Sequence, residues 1–109
     1  MSIKPILLIL IGALICNSAA NAQELTISIS GVAFSPQIIH AQMGDHVKWV
    51  NNDGVRHELY FAKNPTNSSD MQLRYELKPG ESVSIVINKR GEYDYMCRWH
   101  GMLGTVYVN

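Results

Sequence analysis

The fold is decided by the C-terminal stretch Glu92-Tyr93-Asp94-Tyr95-Met96-Cys97-Arg98-Trp99-His100-Gly101-Met102-Leu103-Gly104-Thr105-Val106-Tyr107-Val108. Its first part alternates polar and apolar residues, which is the period of a half-buried β-strand and places Tyr93, Tyr95 and Cys97 on one face. A last strand is predicted over Thr105–Val108. The segment between these two strands holds a thiol, an imidazole and a thioether, so it is a candidate metal-binding loop.

Similar alternation recurs through the preceding sequence and predicts an all-β chain. The aromatic residues Phe34, Trp49, Phe61, Tyr93 and Tyr95 are expected in the core or on sheet faces. Seven or eight short strands without a convincing helix predict an antiparallel Greek-key β-sandwich. The earlier strands are predicted over Glu24–Ser30, Gln37–Ala41, His46–Asn51, His57–Phe61 and Ser82–Ile87, with Met71–Leu77 either a strand or a helical turn. The turns are predicted at Phe34-Ser35-Pro36, Met43-Gly44-Asp45, Asn52-Asp53-Gly54, Lys78-Pro79-Gly80-Glu81 and Lys89-Arg90-Gly91.

The N-terminal segment has the pattern of a secretory signal peptide rather than of a folded element. Ile3 to Ile15 is an almost unbroken apolar run with one early charge, Lys4, and it is followed by small and polar residues. The Ala20-Asn21-Ala22 sequence predicts cleavage after Ala22. Residues 1–22 are therefore expected to be removed, with an uncleaved anchor as the alternative. The domain over residues 23–109 would be exported to the periplasm without stable membrane insertion.

Removal of residues 1–22 changes the cysteine count and the charge. The chain has two cysteines, and the loss of Cys16 would leave Cys97 alone, which excludes a disulfide within the mature domain. A lone exported cysteine is either an inert buried thiol or a metal ligand. Nine Lys and Arg against nine Asp and Glu, less Lys4, give a mature net charge of −1. This balance offers no basic surface for nucleic acid.

The order of motifs along the chain resembles that of the cupredoxins, in particular their small amicyanin- and plastocyanin-like members. The resemblance covers nearly all of the mature chain and joins structural turns to metal-ligand types. It rests on Phe34-x-Pro36, Gly44-Asp45-x-Val47-x-Trp49-x-Asn51, His57, Leu77-x-Pro79-Gly80 and Gly91-x-Tyr93-x-Tyr95-x-Cys97-x-x-His100-x-Met102-x-Gly104-x-Val106-x-Val108.

The resemblance implies one copper ion bound by His57, Cys97, His100 and Met102. Two imidazoles and a thiolate form a trigonal plane in such sites, with a weak axial thioether. It also implies a monomeric electron carrier, not an enzyme, which exchanges electrons with redox partner proteins through the edge of His100. A copper-handling protein that binds and passes on Cu(I) is the alternative function. A zinc site on His57, Cys97 and His100 is chemically allowed.

Two features around the ligands depart from the family pattern. Only Gly101 separates His100 from Met102, so Met102 is either the axial ligand or a packed residue on a tight loop. Glu58 follows the first His and Arg98 follows the Cys, where the family usually has smaller polar residues. We expect Glu58 and Arg98 either to pair and brace the ligand segments, or to lie separately in solvent. Trp99 is expected to cover the metal or to flank a docking surface.

Overall fold

The computed structural model describes residues 22–109, so the signal peptide predicted over residues 1–22 lies almost wholly outside the described residues. Within that range the chain forms nine strands and no helix, and hence no helix long and apolar enough to cross a membrane. The strands are β1 (Glu24–Ser30), β2 (Ala33–Ser35), β3 (Ile38–Ala41), β4 (His46–Asn51), β5 (His57–Phe61), β6 (Leu73–Leu77), β7 (Ser82–Val86), β8 (Gly91–Cys97) and β9 (Met102–Val108).

The strands form two sheets that pack face to face. One sheet has the order β2-β1-β4-β7, and the other has the order β3-β9-β8-β5-β6. The predicted all-β sandwich is confirmed, and the strand orders are compatible with a Greek key. Both sheets are mixed, because β1 runs parallel to β4 and β3 runs parallel to β9. Alternation in sequence reports which residues share a face, not which strands become neighbours, so the parallel pairs were not predicted.

Aromatic side chains fill the space between the two sheets. Trp49 from β4 meets the rings of Phe61 and Tyr95 edge to face, with ring centres 5.6 and 5.3 Å apart. Phe34 packs against Tyr95 in the same way, at 4.7 Å. These four and Tyr93 are all buried, which confirms their prediction as core residues. Truncation of such a buried aromatic side chain costs about 3–5 kcal/mol, so this cluster is a main source of the domain's stability.

Two segments differ from their predicted structure, and in a third the structure decides between two predicted alternatives. Phe34 lies on the short strand β2, paired with β1, where a turn was predicted. The segment 73–77 is a strand, which resolves the ambiguity between strand and helical turn. The last strand begins at Met102, not at Thr105, because Cys97 pairs with Met102 and extends the ladder between β8 and β9.

Gly104 allows the β8–β9 hairpin to close over the core. A Cβ atom at this position would overlap the ring and hydroxyl oxygen of Tyr95. Tyr95 is the residue directly opposite Gly104 in the ladder. The absence of a side chain at Gly104 therefore leaves room for the Tyr95 ring beneath β9, two residues before Cys97 on β8.

Candidate metal centre

The predicted ligands meet at the end of the sandwich where β8 ends and β5 begins. Cys97 is the last residue of β8 and Met102 is the first residue of β9. His57 is the first residue of β5, and it lies on the strand hydrogen-bonded to β8. His100 lies in the turn 98–101 that joins β8 to β9. The structure thus brings all four predicted residues to one end of one sheet.

The three strong donor atoms form a compact triangle. Cys97 Sγ lies 3.7 Å from His57 Nδ1 and 3.6 Å from His100 Nδ1. All three donor atoms lie within 4.8 Å of one another. Zinc–sulfur and zinc–imidazole bonds, of about 2.3 and 2.0–2.1 Å, give sulfur–nitrogen separations of about 3.5–3.8 Å at tetrahedral to trigonal angles. The triangle therefore fits a single transition-metal ion bound by one thiolate and two imidazoles.

Met102 reaches the site through strand register. It pairs directly with Cys97 in the antiparallel ladder, and directly paired residues project their side chains from the same face with Cβ atoms about 4.5–5.5 Å apart. The Met102 side chain is buried, with 4% exposure. The short His100-Gly101-Met102 spacing is therefore compatible with a thioether beside the thiol, because β9 supplies the thioether.

Burial divides the ligand set into an inner and an outer part. His57 and Cys97 are fully buried, whereas His100 is exposed. The two imidazole rings lie 4.8 Å apart between centres and are inclined by 66°. The edge of His100 is thus the part of the donor set that meets solvent.

Asp53, which was predicted only as part of a turn, orients His57. Its carboxylate accepts a hydrogen bond from His57 Nε2 at 2.8 Å, which directs Nδ1 of the same ring toward Cys97. The backbone amides of Gly31 and Val32 donate to the same carboxylate. The hydrogen bond from His57, followed by that from Val32, lowers the pKa of Asp53 below its ordinary value. A carboxylate behind a ligating imidazole fixes its tautomer and raises its basicity.

Asn51 holds the segment that carries Asp53 and leads to His57. Its fully buried side-chain amide donates to the carbonyl oxygens of Val55 and Leu77, at 2.8 and 2.9 Å. Its side-chain oxygen accepts from the backbone N–H of Asp53. This role was not predicted, although a polar residue on the inward face of an alternating strand is a sequence signal for it.

Glu58 connects the two ligand segments in two ways. Its backbone N–H lies 3.3 Å from Cys97 Sγ and donates to it. Its carboxylate accepts from Arg98 Nε at 2.9 Å, which confirms the predicted pair and raises the pKa of Arg98. Arg74 on β6 approaches the other carboxylate oxygen to 3.5 Å, a partner that was not predicted. The Glu58 side chain is only 7% exposed, and a buried carboxylate requires such partners.

Three other residues considered in the sequence lie outside the donor cluster. His40 and His46 are exposed on β3 and β4. Trp99 is 48% exposed, and the guanidinium carbon of Arg56 lies 5.4 Å from the centre of its ring. Trp99 therefore offers part of its ring to solvent beside His100.

A protein family described as the Cupredoxin-like domain matches residues 5–108 of this chain. The chain belongs to the cupredoxin family. The resemblance drawn from its motifs is thereby confirmed, and His57, Cys97, His100 and Met102 form a candidate copper site. Sulfur and imidazole donors suit copper in both of its common oxidation states.

Known cupredoxins are similar to this one over most of their length. The plastocyanin of Scenedesmus fuscus is 34% identical over 85 residues, which cover 71% of this chain and 87% of the relative. Amicyanin-alpha of Methylorubrum extorquens is 29% identical over 98 residues, covering 89% and 82%. The solved structure of an amicyanin variant in its Cu(I) form is similar with a TM-score of 0.71 at 25% identity, covering 79% of this chain and 82% of that one.

Proposed function

We propose that this cupredoxin is a periplasmic one-electron carrier with a single type 1-like copper site. His57 Nδ1, Cys97 Sγ and His100 Nδ1 would be the three strong ligands of the copper, and the Met102 thioether would be a fourth, weaker ligand. The bound copper would supply the chemistry of the site by cycling between Cu(I) and Cu(II). The observation that carries the proposal is the triangle of one buried thiol and two imidazoles, with sulfur–nitrogen separations of 3.6 and 3.7 Å.

The surrounding residues hold the donors in place. Asp53 fixes the His57 ring from behind at 2.8 Å, and the Glu58 amide donates to the Cys97 sulfur at 3.3 Å. An amide donor of this kind stabilises the thiolate form. Donors fixed by buried strands need little rearrangement when the charge of the bound ion changes, which suits rapid electron transfer. The exposed edge of His100 is the proposed exit for the electron.

A carrier of this type converts no substrate of its own. We expect it to act as a monomer that accepts an electron from one redox protein and delivers it to another. The support for this part is the similarity to plastocyanins and amicyanins. Its single cluster of three strong donors, counted over residues 22–109, suits the storage of one electron at a time.

The proposal is tested by the visible spectrum of the exported protein after addition of Cu(II). We expect an intense thiolate-to-copper band that disappears on reduction with ascorbate and returns on oxidation. The Cys97→Ser variant is the control and should remain without this band. A colourless protein that retains only Cu(I) would instead support the copper-handling function.

The location is tested separately by fractionation and N-terminal sequencing. We expect the protein in the periplasmic fraction with Gln23 as its first residue. A chain that begins at Met1 and sediments with the membrane would show that residues 1–22 are retained as an anchor.

A further inference from the structure

Three arginine side chains lie on one flank of the candidate copper site. Arg56, Arg74 and Arg98 have side-chain exposures of 60, 52 and 45%. Each guanidinium lies over an aromatic ring: Arg56 over Trp99, and both Arg74 and Arg98 over Tyr60, at 5.4 and 4.7 Å from its centre. We name these five residues the arginine flank. Cation–π contacts hold the guanidinium groups at defined positions on the surface.

The three arginines of this flank face two carboxylates, the buried Glu58 and the exposed Glu76, so the flank and its partners carry one excess positive charge. The Glu58 carboxylate, which lies nearest to Arg74 and Arg98, is only 7% exposed. Arg56 has a more accessible partner, Glu76, at 3.0 Å. Each guanidinium has five N–H donors, and the ion pairs are made through one nitrogen of each, Nη1 of Arg56 and Nε of Arg74 and Arg98, so other donors remain available. An approaching carboxylate would therefore meet guanidinium groups before it met the buried acid.

The arginine flank continues into an apolar row on the outer face of the same sheet. The strand register places Leu103, Met96, Tyr60 and Arg74 side by side across β9, β8, β5 and β6. Leu103 is 57% exposed, and Met96 and Tyr60 are half-buried. Exposed arginine and aromatic residues beside an apolar centre are the composition of protein-binding surfaces.

We propose that the arginine flank is the surface on which the redox partner docks, and that the partner presents carboxylate groups to it. The inference rests on the proposed electron-transfer function, since it names the chemistry of the partner for the same site. The turn that carries Arg98 and Trp99 also carries His100, so a partner bound to the flank lies next to the exposed ligand edge. Charge complementarity at this position raises the rate of encounter.

The opposite end of the sandwich provides a matched control. Lys63 Nζ lies over the Tyr93 ring near the start of β8, whereas Cys97 lies four residues further along that strand, roughly 13 Å away at the usual rise per residue. Lys89 lies in the turn before β8 and is exposed. The double variant Lys63→Gln/Lys89→Gln removes two positive charges, as does the double variant Arg56→Gln/Arg74→Gln. The Arg56/Arg74 variant leaves the Glu58–Arg98 pair intact.

The first experiment compares oxidation of the reduced copper protein by hexacyanoferrate(III), an anion, and by tris(phenanthroline)cobalt(III), a cation. Each oxidant accepts one electron from one protein molecule. At low ionic strength we expect the Arg56/Arg74 variant to react about 3- to 10-fold more slowly with the anion and faster with the cation. The Lys63/Lys89 variant should stay within about twofold of the native rate, and added salt should reduce all differences. The reduction potential of each variant is measured as well, so that its rates can be corrected for any difference in driving force.

The second experiment locates binding without an electron-transfer step. A polyglutamate peptide is titrated into the reduced protein, and amide shifts are followed by NMR. We expect shifts at residues 56, 74 and 98–100 that are lost in the Arg56/Arg74 variant. Shifts centred on Lys63 and Lys89, or equal rate effects in the two double variants, would overturn the docking proposal. Failure of the electron-transfer function is distinct, because the native protein would then lack a reversible copper band before any rate is measured.

Discussion

The two histidines of the candidate copper site are held in contrasting ways. His57 is fully buried at the start of a strand, and its second ring nitrogen donates to Asp53 at 2.8 Å. His100 is exposed in the turn 98–101, where its backbone N–H bonds to the Cys97 carbonyl oxygen at 3.3 Å. The contrast indicates that the core fixes one half of the site and the hairpin turn supplies the other.

Removal of each imidazole gives the largest expected effects and tests this contrast directly. His57→Gly leaves a buried void and removes the imidazole hydrogen bond to Asp53, so we expect a loss of about 2–5 kcal/mol in the stability of the apo protein. His100→Gly removes an exposed side chain, and we expect a loss within about 0.5 kcal/mol. Both variants lose the thiolate-to-copper band. Urea denaturation and visible spectra measure these outcomes.

Added imidazole separates the two variants further. It should restore the band in His100→Gly, because the vacated position opens to solvent, and it should fail in His57→Gly. Equal restoration in both variants would show that the inner half is as accessible as the outer half. The contrast drawn from burial would then be wrong.

Asp53→Asn is expected to have the next largest effect. Loss of a carboxylate behind a ligating histidine typically lowers metal affinity about 10- to 100-fold. Removal of a negative charge also destabilises the more positive oxidised site, so the reduction potential should rise. Chelator competition and voltammetry measure the two quantities. Asp70→Asn makes the same charge change on an exposed loop and should leave both quantities unchanged.

The same residue predicts a pH dependence of the apo protein. Hydrogen bonds from His57 and from backbone amides lower the pKa of Asp53 below its ordinary value of 3.8. Its stabilising contribution is therefore complete above the unfolded pKa and is lost as the pH falls through the lower folded pKa. We expect native stability to decrease more steeply than that of Asp53→Asn in acid. If the stabilities of the native protein and of Asp53→Asn decreased in parallel as the pH is lowered, the hydrogen bonds to Asp53 would contribute nothing to folding.

The Glu58–Arg98 pair tests whether the turn that carries His100 is energetically coupled to β5, which carries His57. Glu58→Gln and Arg98→Met should each lower the Tm, and the double variant should fall short of their sum by about 1–8 °C. Arg74 stays beside position 58 in all three variants, so it limits the loss from Arg98→Met. Additive Tm shifts would show that the 2.9 Å contact does not couple the turn to β5.

The sequence predicted the core of the sandwich and the candidate ligands better than it predicted the residues that hold those ligands in place. Alternation located β1, β4 and β8, because burial repeats every second residue along a half-buried strand, and β5 was placed as a short strand after the Asn52-Asp53-Gly54 turn. The ligands followed from the resemblance. Asp53 was missed because its bond to His57 depends on how the turn folds back. Arg74 was missed because it reaches Glu58 from a neighbouring strand, and periodicity does not report which strands are neighbours.

Met102→Leu is expected to give only a small change in stability, and it tests whether Met102 is a metal ligand. The two side chains have similar volumes, so the apo protein should lose less than about 1.5 kcal/mol. If the thioether is the axial ligand, its loss should shift the visible band and raise the reduction potential, because the thioether donates electron density to the oxidised site. Leu103→Met, on the outer face one residue along β9, is the control for methionine content. An unchanged spectrum and potential in Met102→Leu would leave His57, Cys97 and His100 as the ligands and make Met102 a packing residue that register places opposite Cys97.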